Sequence, residues 1–230
     1  TRGTRREPAV IVSTRTHFTD TPDLVSMAVA TERDRHVAES GFVDRIRHLA
    51  GAANPAFAAG SFLVPLAFLA ASLALASTEL LFYTHVAAGA VWFGFAVIFP
   101  AIIGPTLGGL DEEASAAVTT TLVPKAVFFL VGFSLTTVLS GTVLLTTDLG
   151  LGYGFGGAWS GAALALGWGL FAFGIAVPHR LHLSAYYETL SPDPDASRLE
   201  SIEKKNLVVG LFEAAMMLAI IVMMTGFRLG

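Results

Sequence analysis

Residues 80–104 have the sequence LLFYTHVAAGAVWFGFAVIFPAIIG, which contains one histidine and no side chain with a full charge at neutral pH. A helix needs about 20 mostly apolar residues to cross the hydrocarbon core of a bilayer. The apolar run is continuous rather than alternating, so it predicts a transmembrane helix and not a strand of a membrane barrel. Comparable runs predict five spans, at about 61–77, 80–105, 122–146, 158–178 and 207–227.

The composition agrees with a polytopic membrane protein. Of the 230 residues, 53% are hydrophobic and 14% are charged, and the mean hydropathy of +0.65 is too high for an ordinary soluble domain. The absence of cysteine excludes disulfides, thiolate metal sites and iron–sulfur clusters, and the net charge of -4 gives no indication of a nucleic acid partner. The predicted fold class is therefore all-α, a transmembrane helix bundle over residues 61–227 with a four-helix core and one additional N-terminal span.

Two segments precede the bundle. Residues 1–39 are polar and of mixed charge, and they are predicted to form a disordered cytoplasmic segment that is not a secretory signal. Residues 40–51, SGFVDRIRHLAG, have apolar side chains at helical spacing and basic side chains on the other side. This pattern predicts an amphipathic helix at the membrane interface, with Ser40 as its N-cap and Gly51 as its stop signal.

Lysine and arginine are distributed unevenly between the loops. The loops at 78–79 and 147–157 contain neither residue, and only Arg228 follows the last span. Because basic residues are retained on the cytoplasmic side, the N-terminus is predicted to be cytoplasmic and the C-terminus external. The basic residues that favour this topology are Arg33, Arg35, Arg45, Arg47, Lys125, Arg180, Arg198, Lys204 and Lys205.

One histidine lies inside a predicted span, where an ionisable side chain is costly and marks a candidate functional site. His85 is near the outer end of span two, and Gly89 and Trp92 follow at i+4 and i+7 on the same helix face. Glycine leaves a flat space beside the ring, and a neutral imidazole is a common metal ligand, so this face predicts a site for haem b or copper. Alternatively, His85 is a structural residue that forms a hydrogen bond to serine, threonine or a carbonyl of a neighbouring helix.

Methionines near the outer end of span five could supply a partner for this histidine. Met223 and Met224 are predicted to lie at about the depth of His85. A thioether together with an imidazole suits Cu(I), or the two axial positions of a haem. The alternative is that these methionines only fill gaps in apolar packing.

Four further ionisable residues are predicted near the inner face. Lys125 begins span three and Glu213 lies inside span five at a similar depth, so they are predicted to form an intramembrane ion pair, either structural or part of a proton relay. His179 and His182 end span four and share a face at i, i+3, which is suitable spacing for two metal ligands. The alternative for these histidines is solvation at the interface.

Several motifs together resemble a known family. THVAAGAVWFG (84–94), with histidine, glycine and then Trp-x-Gly, resembles the first core helix of the four-helix copper resistance D superfamily, a group that includes HemJ-type protoporphyrinogen oxidases. Residues 122–145, 177–188 and 204–224 look like the second, third and fourth core helices. The resemblance covers about 80–227 and leaves the first span as an addition.

This resemblance implies a function in the plasma membrane. His85 matches the family histidine, and Trp92 and Gly94 match Trp-x-Gly, which implies haem or copper binding in copper transport or membrane electron transfer. The implied partners are the lipid bilayer, a periplasmic or membrane redox protein, and a second copy in a homo-oligomer. Two alternatives remain, a HemJ-like porphyrinogen oxidase and a structural subunit without a cofactor. HemJ-type enzymes carry a lysine where this chain has Ala162 and Ala163, which favours the copper resistance D type.

Overall fold

The computed structural model describes residues 41–155 and 157–229, with side chains up to Thr225. The predicted segment 1–39 therefore lies outside the described residues, as does Ser40. The described chain is helical. Its elements are α1 (Phe42–Ala53), α2 (Pro55–Ala74), α3 (Thr78–Ile98), a π-helical turn (Phe99–Ile103), α4 (Gly104–Gly108), α5 (Glu112–Thr146), α6 (Ala158–Ala176), α7 (Pro178–Thr189) and α8 (Ala196–Leu229).

The predicted fold class is confirmed. Within the described residues, five helical stretches are long and apolar enough to cross a membrane, and they correspond one to one with the five predicted spans. The chain is a multi-pass membrane protein whose apolar helices contact lipid. The five stretches are Pro55–Ala74, Thr78–Gly108, Glu112–Thr146, Ala158–Thr189 and Ala196–Thr225.

Four helices begin earlier than hydropathy alone predicts, at Pro55, Thr78, Glu112 and Ala196. Capping residues explain the early starts of α2 and α5. Helix α2 begins at Pro55, where the side chain of Asn54 accepts a hydrogen bond from the N–H of Ala56. Helix α5 begins at Glu112, where the Asp111 carboxylate accepts a hydrogen bond of 2.8 Å from the N–H of Ala114. Lys125, which was predicted to begin span three, is consequently more than three turns inside α5.

The bundle is built around α5. This helix contacts α1, α2, α3, α6 and α7, while α8 contacts α3, α6 and α7. The order α3–α5–α6–α8 therefore closes a four-helix core, and α2 packs outside it on α3 and α5. The bundle has two ends. The Asp148 end carries the loops at 75–77 and 147–157, and the Asp195 end carries α1, α4, α7 and the loop at 190–195.

A proline and a glycine bring α2 and α5 into backbone contact. Pro65 has no N–H, so it leaves the carbonyl of Ser61, four residues earlier, without its usual helical donor. A Cβ atom added at Gly132 of α5 would collide with this carbonyl oxygen. Only glycine allows such a close approach, which fixes the position of α2 against the core.

Helix α1 packs through one side and exposes the other. Its buried Leu49 contacts Val123 and Tyr186, and the ring of His48 is 3.1 Å from the Tyr186 hydroxyl. Phe42 and Val43 are exposed by 71% and 63%. The helix continues past Gly51 to Ala53 and ends where Asn54 takes a φ of 73°. Gly51 is therefore not the stop signal that the sequence predicted.

Candidate functional site

A cavity of about 360 Å³ lies inside the core towards the Asp195 end, between α3, α5, α6, α7 and α8. This is within the range of small-molecule sites in proteins. Its lining is mostly apolar and aromatic, and it includes a few polar side chains. The polar residues that the structure places in the lining are Thr119, Ser134, His179, His182, Glu203, Lys204, Asn206 and Glu213, with Trp92 beside them.

The π-helical turn forms one wall of this cavity. Pro100 lies at its start, and the N–H of Gly104 bonds to the carbonyl of Phe99, five residues earlier. Such turns within α-helices are frequent at functional sites because they displace side chains from the regular helical positions. Here the turn carries Phe99 and Pro100 into the lining. Pro100 packs closely against Gly210 of α8, where a Cβ atom would be only 3.0 Å from the Pro100 Cγ atom.

His179 joins α6, α7 and α5. Pro178 lacks an N–H, so the carbonyl of Gly174, four residues earlier, has no helical donor. The Nδ1 atom of His179 is 3.0 Å from that oxygen, and its Nε2 atom is 3.3 Å from the carbonyl of Val127. A neutral imidazole has one N–H and donates to one of these carbonyls at a time. His179 is thus held by backbone groups on both sides.

His182 lies one turn further along α7 and also lines the cavity. Its ring centroid is 5.6 Å from that of Phe99. No other described residue forms a hydrogen bond with its ring nitrogens, in contrast to His179. A half-buried imidazole with both nitrogens unused is available to a ligand in the cavity.

Glu213 is paired with a tryptophan and not with the predicted lysine. The Nε1 atom of Trp92 donates a hydrogen bond of 3.0 Å to its Oε1 atom, and the Glu213 side chain is buried. Gly174 of α6 lies beside this carboxylate, since a Cβ there would be in ordinary contact with Oε1 at 3.5 Å. Among the described residues no ion pair joins Lys125 to Glu213. The donor that the structure places at this carboxylate is the indole N–H of Trp92, so similar depth in the bundle did not decide the partner.

The mouth of the cavity is polar. Glu203 and Lys204 are exposed members of the lining, and the Lys204 ammonium pairs with Glu200 at 2.6 Å. Asn206, one turn deeper, has a buried Oδ1 atom without a hydrogen-bond partner in the described chain. From Glu203 to Glu213 the lining extends along about 15 Å of α8. The cavity therefore runs from the surface at the Asp195 end to the Trp92–Glu213 pair.

His85 lies in a different, closed environment. Its Nδ1 atom is 2.9 Å from the carbonyl oxygen of Thr137 and 3.2 Å from the Ser140 hydroxyl. A carbonyl only accepts, so Nδ1 carries the proton and Nε2 carries the lone pair. A Cβ at Gly141 would be 2.8 Å from the Cε1 atom of His85, so this glycine makes room for the ring. The structural hydrogen bond considered for His85 is present.

The surroundings of His85 suit a metal ion at one ring atom but not a haem. The lone pair on Nε2 suits a metal, because ligating histidines commonly donate their other N–H to a carbonyl. The flat space expected beside Gly89 is filled, since a Cβ there would be 3.4 Å from the Thr137 methyl group. Haem therefore does not fit this face as it is packed. No group of three or more histidine, aspartate or glutamate side chains among the described residues could hold a metal ion.

Met223 and Met224 are half-buried near the C-terminal end of α8. The contact between Pro100 and Gly210 relates the depths of α3 and α8, which run antiparallel. From this contact, Met224 lies about 21 Å along α8 and His85 lies about 22 Å back along α3. Because the helices are antiparallel, the two residues are at a similar depth. The methionines are thus at the predicted depth, while the imidazole of His85 is directed to α5.

Sequence reasoning identified His179, His182, Glu213 and Trp92, but it did not place them around one cavity. It assigned Trp92 to the face of His85, whereas the structure joins it to Glu213. It missed Asn206 and Phe99 altogether. The available signal was the pair of prolines in FPAIIGP (99–105), which disturbs the end of a span and favours an irregular helix there.

No family model, curated protein or solved structure matches this chain. The resemblance to the copper resistance D superfamily therefore remains a prediction from short motifs.

Proposed function

We propose that this protein is a membrane carrier that binds a small, largely apolar molecule in the cavity between α3, α5, α6, α7 and α8. The observation that carries the proposal is the cavity itself, which combines an aromatic lining with a few polar groups deep in a bundle of membrane-spanning helices. Sites of this composition hold the apolar part of a ligand by burial and orient it through their polar groups.

His182 and Glu213 are the residues we assign to ligand recognition. The imidazole of His182 faces no competing hydrogen-bond partner in the described chain, so it can donate to or accept from a ligand. Glu213 keeps one oxygen on Trp92 and has a second oxygen for a ligand. His179 positions the wall of the cavity, because both of its nitrogens lie against backbone carbonyls.

The binding proposal is tested with two aromatic compounds of the same shape, neutral neopentylbenzene and cationic benzyltrimethylammonium. Saturable binding of either compound should raise the unfolding temperature of the detergent-solubilised protein, by an amount equivalent to about 2.7 kcal/mol at 100 times Kd. Gly174→Leu should abolish the increase, because its side chain grows into the cavity beside Glu213.

Gly94→Leu is the matched control, since a Cβ at Gly94 meets no atom within 4 Å and the residue is outside the cavity lining. It should bind the compounds as the wild type does. The proposal fails if neither compound gives a saturable increase, or if Gly174→Leu and Gly94→Leu respond alike.

The proposed orientation has the Asp195 end in the cytoplasm. Described basic side chains at this end include Arg45, Arg47, Arg180, Arg198 and Lys205, while the loops at the Asp148 end contain none. The cavity then opens to the cytoplasm. Reporter fusions after Gly150 and after Gly230 should both be external, and a cytoplasmic signal from the Gly150 fusion would reverse the orientation.

A second candidate keeps His85 as a ligand, with copper(I) as transported cargo. The specific observation is the lone pair that the Thr137 hydrogen bond leaves on Nε2. The purified protein should then contain copper that His85→Ala loses and His182→Ala retains. Equal copper contents in the two variants would exclude His85 as the ligand. Electron transfer to a redox partner would also require copper at His85. The homo-oligomer implied by the resemblance belongs to this candidate as well.

A further inference from the structure

The chemistry of the cavity narrows the class of ligand. Its deep end carries one carboxyl group, Glu213, and the aromatic side chains of Trp92, Phe95, Phe99 and Phe171 belong to the same lining. The Trp92 indole N–H donates to Oε1 and so orients the carboxyl group. Aromatic rings attract cations through their electron-rich faces. The combination of a carboxyl group with several rings is suited to an organic cation.

The protein supplies no cation to this carboxyl group among the described residues. Lys204 is the basic side chain of the lining, and it is exposed at the mouth and paired with Glu200 at 2.6 Å. The other ionisable groups of the lining are His179 and His182 on α7 and Glu203 on α8. The lining residues of α3, α5, α6 and the π-helical turn carry no charge. The position opposite Glu213 is therefore left to a proton or a ligand.

A carboxyl group in an apolar interior is stable as the neutral acid or as an anion beside a cation. We propose, on the basis of the carrier function above, that the ligand is a small lipophilic organic cation that binds at Glu213 in exchange for a proton. The exchange is balanced. The O–H bond of the neutral acid breaks, the proton leaves to water, and the carboxylate retains the electron pair and faces the cation. The net charge of the site is the same before and after.

This exchange links transport to pH. A bound cation keeps Glu213 ionised, and a proton neutralises it after the cation leaves, so the carboxyl group is never an isolated charge in the membrane. The two histidines also affect the affinity for the cation, because a positive charge on His182 or His179 would repel it. Cation binding should consequently weaken as the pH falls.

The comparison of benzyltrimethylammonium with neopentylbenzene tests this inference, because the two differ in charge and hardly in shape. In lipid nanodiscs the wild type should bind the cation at least about tenfold more tightly than the neutral compound, which corresponds to about 1.4 kcal/mol. Glu213→Gln should remove the preference and still bind neopentylbenzene. Glu203→Gln, which changes the exposed carboxyl group at the mouth, should keep it.

Proton release gives a second measurement. In a weakly buffered solution at acidic pH, cation binding to the wild type should release about one proton, whereas neopentylbenzene should release none. Equal affinity for the two compounds, or an unchanged cation preference in Glu213→Gln, would overturn the inference and leave the carrier proposal standing. Failure of both compounds to bind would overturn both proposals.

Discussion

His85 and His182 are both half-buried histidines in membrane-spanning helices, but their surroundings differ. His85 donates to the Thr137 carbonyl and fits beside Gly141, so its ring fills a gap between α3 and α5. His182 borders a cavity and has no hydrogen-bond partner in the described part of the chain. Burial of an ionisable group within a span therefore does not distinguish structure from function, whereas the use of its polar atoms does.

The largest difference between the two regions is expected when a methyl group is added in each of them. Gly141→Ala places a Cβ 2.8 Å from Cε1 of His85, so the ring must shift and its hydrogen bond to Thr137 must weaken. Gly174→Ala places one 3.5 Å from the Glu213 carboxylate, an ordinary contact beside a cavity. We expect Gly141→Ala to destabilise the protein by about 1–3 kcal/mol and Gly174→Ala by less.

The measurement is the free energy of unfolding in mixed micelles, obtained by titration with a denaturing detergent. Similar losses in both variants would mean that the His85 region is no more tightly packed than the cavity.

Removal of each imidazole in turn should also affect the two regions differently. His85→Ala should cost about 1–2 kcal/mol, from a lost interhelical hydrogen bond and a void between α3 and α5. His182→Ala should change stability by less than about 0.5 kcal/mol, because it removes no hydrogen bond and only enlarges a cavity. The same micelle titration measures both. A larger loss in His182→Ala than in His85→Ala would reverse the roles assigned to the two histidines.

The Trp92–Glu213 pair lies at the deep end of the cavity. Loss of its hydrogen bond should reduce stability by an amount between the losses expected for His85→Ala and His182→Ala. Trp92→Phe removes the indole N–H and leaves the buried Oε1 atom of Glu213 without its donor, which should cost about 1 kcal/mol. The double variant Trp92→Phe with Glu213→Gln should lose less than the sum of the single losses, because neighbours in one hydrogen bond are not additive. Strict additivity in a double-mutant cycle would contradict this contact.

The smallest effect is expected at Gly89. A Cβ there would be 3.4 Å from the Thr137 methyl group, which is ordinary contact, and alanine is a better helix former than glycine. Gly89→Ala should therefore change the free energy of unfolding by less than about 1 kcal/mol, in either direction. A loss comparable to that of Gly141→Ala would show that α3 and α5 are held apart by more than the described contacts.

Hydropathy predicted the number and order of the spans because lipid demands long apolar helices. It missed the first turns of α2 and α5, which are fixed by the caps at Asn54 and Asp111 and not by apolar residues. The Trp92–Glu213 hydrogen bond escaped prediction because helix rotation decides which faces meet, and depth alone favoured Lys125. The cavity depends on a π-helical turn. The way in which this turn changes the packing of neighbouring helices cannot be predicted from the sequence of one segment.

The contact between the Ser61 carbonyl and Gly132 has a consequence for biosynthesis. Its two members lie on α2 and α5, so the contact cannot form until α5 has been made and inserted. At ~5–20 residues per second, α2 waits in the bilayer for several seconds. During this time Pro65 leaves the Ser61 carbonyl without a helical donor in a solvent that offers none. A nascent chain that stops before α5 lacks the packing of Gly132 against this carbonyl and should hold α2 in the membrane less firmly than the completed chain does.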